Sequence, residues 1–194
     1  MKKSKYYIFL IAYLILFGAC TKESVPKPEG YPRLEPEYAG YTLVDIYSMF
    51  SFLMSSQAEI EPVEQDSLRG IWFNIHYKDL QARVYCSYFT EEKKNFPLVE
   101  EDMNRFIFSH IERAEAMNVS EFHNPQDQVF GQIYRLQGNV PSPVQFVITD
   151  SIASFVKGSL YFDTPMNRDS LAPVINYIDQ DIEILMESFR WKNR

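Results

Sequence analysis

What most restricts the folds open to this chain is a change in hydrophobic period, from two residues to about 3.6 and back again. From Gly70 the residues alternate, with Ile71, Phe73, Ile75 and Tyr77 on one side and Trp72, Asn74 and His76 on the other. Lys78-Asp79 is a short polar link and Leu80 to Phe89 alternates again, which predicts an antiparallel hairpin. Val44, Ile46, Phe50, Phe52 and Met54 mark strand-like structure upstream, and Ala58 to Val63 reads as a short return strand. Three further strands are expected over Gln128–Gln137, Val144–Thr149 and Ala153–Phe162, with turns at Gly138-Asn139 and Asp150-Ser151.

Two segments carry the longer period. Val99, Met103, Phe106, Ile107, His110, Ile111, Ala114 and Met117 form one apolar stripe. It predicts a helix that begins near Pro97, has Glu100, Glu101 and Asp102 at its positive end, and stops at Asn118. Leu171, Val174, Ile175, Ile178, Ile182, Leu185, Met186 and Phe189 form a second stripe, capped by Asp169 or Ser170, with Pro173 in the first turn. Strands and helices in this order predict an α+β domain, an antiparallel sheet packed by two main helices. The three-strand meander closing onto the C-terminal helix is its firmest part.

The N-terminus has the layout of a secretory signal. Lys2, Lys3 and Lys5 precede the apolar run Tyr6–Phe17, and Gly18-Ala19-Cys20 offers small residues for cleavage. The run is shorter than the roughly 20 residues that span a bilayer core, which disfavours a permanent membrane helix. Leu16-Phe17-Gly18-Ala19-Cys20 resembles a lipobox, with Phe17 in place of the usual Leu and Cys20 as the acylated residue. Residues 1–19 are therefore read as a lipoprotein signal peptide and 20–38 as a lipidated tether stiffened by Pro26, Pro28, Pro32 and Pro36. Residues 39–194 form a single domain. Removing 1–19 leaves 175 residues, enough for one core. These carry 16 basic and 26 acidic side chains, a net charge of −10 that repels nucleic acid and anionic headgroups. Attachment to the bilayer thus rests on the acyl anchor. With Cys20 acylated, Cys86 has no partner in the chain, and its place in an alternating strand reads as a buried structural thiol.

Several motifs resemble a known family, the gliding-motility lipoprotein GldD. Pro26-Lys27-Pro28-Glu29-Gly30-Tyr31-Pro32-Arg33 is similar to its start. Gly138-Asn139, Ser142-Pro143-Val144-Gln145-Phe146 and Thr149-Asp150-Ser151 are similar to its central motif. Gly158-Ser159-Leu160-Tyr161-Phe162, Asn167 to Val174 and Leu185 to Trp191 continue the likeness. It is weakest from Tyr41 to Val63, where Phe50-Ser51-Phe52-Leu53-Met54 stands in place of an aromatic Phe-Glu-Tyr-Pro type segment. The resemblance implies an accessory lipoprotein of the gliding and type IX secretion machinery, without enzymatic activity. It would be anchored in the cell envelope with its domain in the periplasm, on the outer membrane, and its partners would be other envelope proteins of that apparatus. By analogy of element order the fold resembles the Mog1/PsbP group.

Candidate chemistry is sparse. His110 lies on a helix stripe, His76 on the polar side of its strand and His123 in a loop, and none has zinc-site spacing, so neither metal nor cofactor is expected. Asp179, Asp181, Glu183 and Glu187 are read as a solvated helix face, and Asp163 and Asp169 as turn and helix-entry groups. The loop from Gly138 to Pro143 is the candidate docking surface, with Asn139, Pro141, Ser142, Pro143 and Gln145 as partner-binding residues, because two prolines pre-order it. Ser67, Ser151 and Ser170 follow aspartate and precede an aliphatic residue, a pattern of O-glycosylation that equally suits capping and turn closure. The competing function is a periplasmic small-ligand-binding or hydrolytic domain, which needs a deep polar pocket joining His76 or His123 to two carboxylates.

Overall fold

The structure is a computed structural model that describes residues 40–63, 70–90, 101, 105, 114–163 and 168–192. All of these belong to the compact unit Tyr31–Arg194, separate from Met1–Gly30. Its frame is a seven-stranded antiparallel sheet. The strands are β3 (Glu59–Pro62), β4 (Gly70–Tyr77), β5 (Ala82–Thr90), β6 (Ala116–Asn124), β7 (Val129–Gln137), β8 (Val144–Thr149) and β9 (Ser154–Phe162), in the spatial order β3-β4-β5-β9-β8-β7-β6. A smaller sheet holds β1 (Tyr41–Ile46), β2 (Phe50–Ser55) and β10 (Arg190–Trp191), with β2 central. The helix α1 (Arg168–Ser188) lies between β9 and β10 in the chain.

The expected hairpin forms as β4–β5 around a 3-10 turn at Lys78–Leu80, closed by Gln81 in the left-handed region. Its register sets Phe73 opposite Cys86 and Ile75 opposite Val84, so the alternating apolar residues share one buried face. The meander forms as β7-β8-β9, and β9 then pairs with β5 to join the two halves of the chain. Gly158 makes this seam close. A Cβ there would lie 2.2 Å from Cε1 of Phe146, so the ring occupies the space that a side chain would need.

α1 lays Leu171, Val174, Ile178, Ile182, Leu185 and Met186 into the core. Phe50 stacks on Phe189 at 5.1 Å and on Phe52 at 6.3 Å between ring centroids, and also touches Phe73. The segment Phe50-Ser51-Phe52-Leu53-Met54 is thus a core strand, with Phe50 and Phe52 fully buried.

Four expectations are corrected. Two main helices are not borne out: among the described residues α1 is the helix with defined bounds. Of the predicted helix near 97–118 most lies outside the described residues, Glu101 and Arg105 are helical, and Met117 and Asn118 belong to β6. Ala58–Val63 forms a strand, but it pairs with β4 in the large sheet instead of returning along β2. α1 begins at Arg168, so Asp169 and Ser170 lie inside the helix and Pro173 in its second turn, where it leaves the Asp169 carbonyl without the usual amide donor. Phe189 sits one residue past the helix, still fully buried.

Candidate docking groove

Where β7 runs into the predicted docking loop, Arg135 reaches across to α1. Its Nε donates to Asp179 Oδ2 at 2.7 Å, one terminal nitrogen donates to Ser120 Oγ at 2.7 Å, and the other to Glu183 Oε1. Asp179 and Glu183 are one turn apart, so the helix presents both carboxylates to the same guanidinium fork. The charges are partly buried, and the fork fixes the helix relative to β7 more firmly than a surface pair would.

Beside this network lies a groove of about 600 Å³, lined among others by Arg135, Pro143, Ala172, Ile175, Asn176 and Asp179. Asp179 Oδ2 is held by Arg135, but Asp179 Oδ1 is buried with no hydrogen-bond partner. An unpaired buried carboxylate oxygen costs about 1–3 kcal/mol or more.

The loop is built for a fixed shape. Gly138 has φ +91°, and a Cβ there would meet Glu115 Cγ at 2.7 Å, so backbone angle and space both require glycine. Val140 N–H donates to the Gly138 carbonyl at 3.0 Å, and Leu136 N–H to the Pro143 carbonyl at 2.8 Å. Ser142 is fully buried and donates to the Val144 carbonyl at 3.3 Å. Of the predicted partner-binding residues, Asn139 and Pro141 are exposed and Pro143 lines the groove. Ser142, Pro143 and Gln145 are corrected: all three are buried, and Gln145 has neither amide atom hydrogen-bonded.

The other singled-out residues fall elsewhere. Asp181 is no solvated group. It is 4 % exposed, accepts from Tyr41 Oη at 2.6 Å, and has its carboxyl held above the usual range by burial, opposed by the hydroxyls of Tyr41, Tyr77 and Ser55. His123 lies in β6, not in a loop, exposed and 3.4 Å from Glu121. His76 is buried beside Glu59 and Glu61, a grouping that spacing in the sequence does not show. Cys86 is buried as expected, and burial pushes its thiol well up. Asp150 closes its turn by accepting from the amides of Ile152, Ala153 and Ser154, and Ser151 is exposed there. Ser67, His110 and the side chain of Ser170 lie outside the described residues.

Fold and groove together define the class: an antiparallel α+β domain whose Arg135–Asp179–Glu183 network borders a surface groove beside its helix. The sequence then places it within that class. The chain belongs to the family of the gliding motility lipoprotein GldD, whose model matches residues 21–191. It is accordingly an accessory lipoprotein of gliding motility, anchored to a membrane of the cell envelope. No curated protein matches the chain. Among solved structures it is similar to cyanobacterial PsbP (CyanoP) from Synechocystis sp. PCC 6803 at 13 % identity and a TM-score of 0.44, over 79 % of this chain and 93 % of that one. The fold described above stands on its own strand order.

Proposed function

We propose that this lipoprotein performs no chemistry and acts as a docking element. Lipid on Cys20 holds it at the outer membrane, the residues up to 38 form the tether, and the domain works in the periplasm with proteins of the gliding and type IX secretion apparatus. The observation that carries the reading is the groove at the Gly138–Pro143 loop, which Arg135 and Asp179 line together with apolar side chains. The Arg135–Asp179 pair offers polar contacts at its wall, and the apolar Pro143, Ala172 and Ile175 suit an extended peptide segment of an envelope protein. Family membership, the acidic surface and the fixed loop agree with it. The runner-up, a small-ligand-binding or hydrolytic domain, is less well supported at this groove, because neither His76 nor His123 lines it and His76 instead meets Glu59 and Glu61 at the sheet edge. Ser151 remains the exposed candidate for O-glycosylation, and intact mass would show added sugar.

The test is quantitative recovery of partners from native membranes. Asn139→Ala and Asp179→Asn should each lower recovery several-fold, while Asp150→Asn, at a remote turn, should not. Equal recovery with all three variants would remove the groove from consideration. Cys20→Ala should leave a folded domain that no longer fractionates with membranes.

A further inference from the structure

Among the described residues β3 is an edge strand of the large sheet, four residues long and paired with β4 alone. Glu59 and Glu61 are two residues apart and so project to the same face, while Ile60 points the other way. The register sets His76 directly opposite Glu59, and Asn74 opposite Glu61. Nδ1 of His76 therefore lies 3.5 Å from Glu59 Oε1 and 2.7 Å from Glu61 Oε1. One donor atom from each of the three residues falls within 4.8 Å of the other two.

The imidazole is an independent sign of a ligand. Its side chain is 10 % exposed, and Nδ1 is buried without a well-directed hydrogen bond, although the Glu61 oxygen is close. A buried ring nitrogen within 3.5 Å of two carboxylate oxygens stands where a metal ligand would. The surroundings prepare the carboxylates for that role. Arg83 Nε donates to Glu61 Oε2 at 3.1 Å, holding the group in place and its carboxyl below the usual range, and leaving Oε1 for the ligand. Arg83 also pairs with Asp163, so its charge is shared. With neutral imidazole, Glu59, Glu61 and Asp163 against Arg83 leave the cluster two charges negative.

We propose that Glu59, Glu61 and His76 bind a divalent first-row cation, with Zn²⁺ the best match. One imidazole nitrogen and two carboxylate oxygens suit this borderline ion, whereas Mg²⁺ and Ca²⁺ favour oxygen alone. Three protein ligands leave a coordination position open to water or to a donor from another molecule. Because Glu59 and Glu61 belong to β3 and His76 to β4, the ion cross-links the sheet edge, and its binding stabilises the folded state by mass action.

The test titrates the full chain in detergent with zinc chloride, read by calorimetry and by competition with a chromophoric chelator. One saturable site per chain is expected. Glu59→Gln should weaken it more than about tenfold and His76→Gln should abolish it, while Glu121→Gln beside His123 should leave it unchanged. Glu59 has a side chain 65 % exposed, so Glu59→Gln reads binding even if His76→Gln fails to fold. An absence of saturable binding overturns the proposal. So does a site that keeps full affinity in Glu59→Gln, or one that Mg²⁺ displaces at equal concentration.

Discussion

Replacing Gly158 by alanine tests the close seam between β8 and β9. The new Cβ would stand 2.2 Å from Cε1 and 2.4 Å from Cζ of Phe146, its cross-strand neighbour. Ordinary carbon contacts are about 3.5–4.0 Å, so the ring or the strand must retreat by more than about 1 Å. Phe146 is 1 % exposed and has no solvent side to move toward. Overpacking of this kind costs about 1–3 kcal/mol, against which alanine recovers roughly 0.5–1 kcal/mol of the backbone entropy of glycine. A net loss near the upper part of that difference, about 2 kcal/mol, should lower Tm by roughly 4–8 °C. Phe146→Leu removes the clashing ring edge and alone should cost roughly 1–2 kcal/mol. The double variant should be about as stable as Phe146→Leu, a favourable coupling of about 2 kcal/mol. Urea unfolding followed by circular dichroism measures all four proteins. A neutral Gly158→Ala, or a double variant that loses the sum of the single losses, would refute the steric reasoning.

Two further outcomes follow from buried titratable groups. Burial raises the Asp181 carboxyl above its ordinary 3.8, so in the window from that value up to the raised one the native state binds more protons than the unfolded chain. This contribution makes stability fall as pH rises through the window and level off above it. Asp181→Asn should flatten that part of the curve and stabilise the protein at neutral pH, and parallel urea midpoints against pH for the two proteins would refute the assignment. Cys86, the sole thiol in a Cys20→Ala chain, should resist maleimide at pH 8 in native buffer and react at once in urea, whereas rapid native labelling would mean that β5 opens.

The parts of the fold legible in advance were those with a local signal. Alternation located β4, β5, β7, β8 and β9, and the stripe from Leu171 to Met186 located α1. β6 was lost because Ala114 and Met117 extend a helical spacing up to the point where the chain turns into a strand. The order of the sheet was hidden because β5 pairs with β9, some seventy residues away by the Cys86–Gly158 register, and no local pattern records such a choice. Asp181 was misread although a signal existed. It lies three residues after Ile178 and four before Leu185, on the buried stripe itself. At the groove, the loop drew notice for its prolines, but Arg135 and Asp179 meet only through tertiary packing. At the sheet edge, Glu-Ile-Glu places two carboxylates on one face of a strand, yet His76 could join them only once β3 was known to pair with β4.

Tyr41 opens β1, the first described strand after the segment that leads from Cys20. Its backbone pairs with Ser55 of β2, and its hydroxyl is tied to Asp181 on α1. Among the described residues, a pull transmitted along the chain from its N-terminal side meets this strand first, at the margin of the three-stranded sheet. The Tyr41–Asp181 bond sends part of that load straight into the long helix, past the β1–β2 hydrogen bonds that would otherwise take it alone. In a lipoprotein of a motility apparatus, this pair would share the tension that the leading strand bears before it peels.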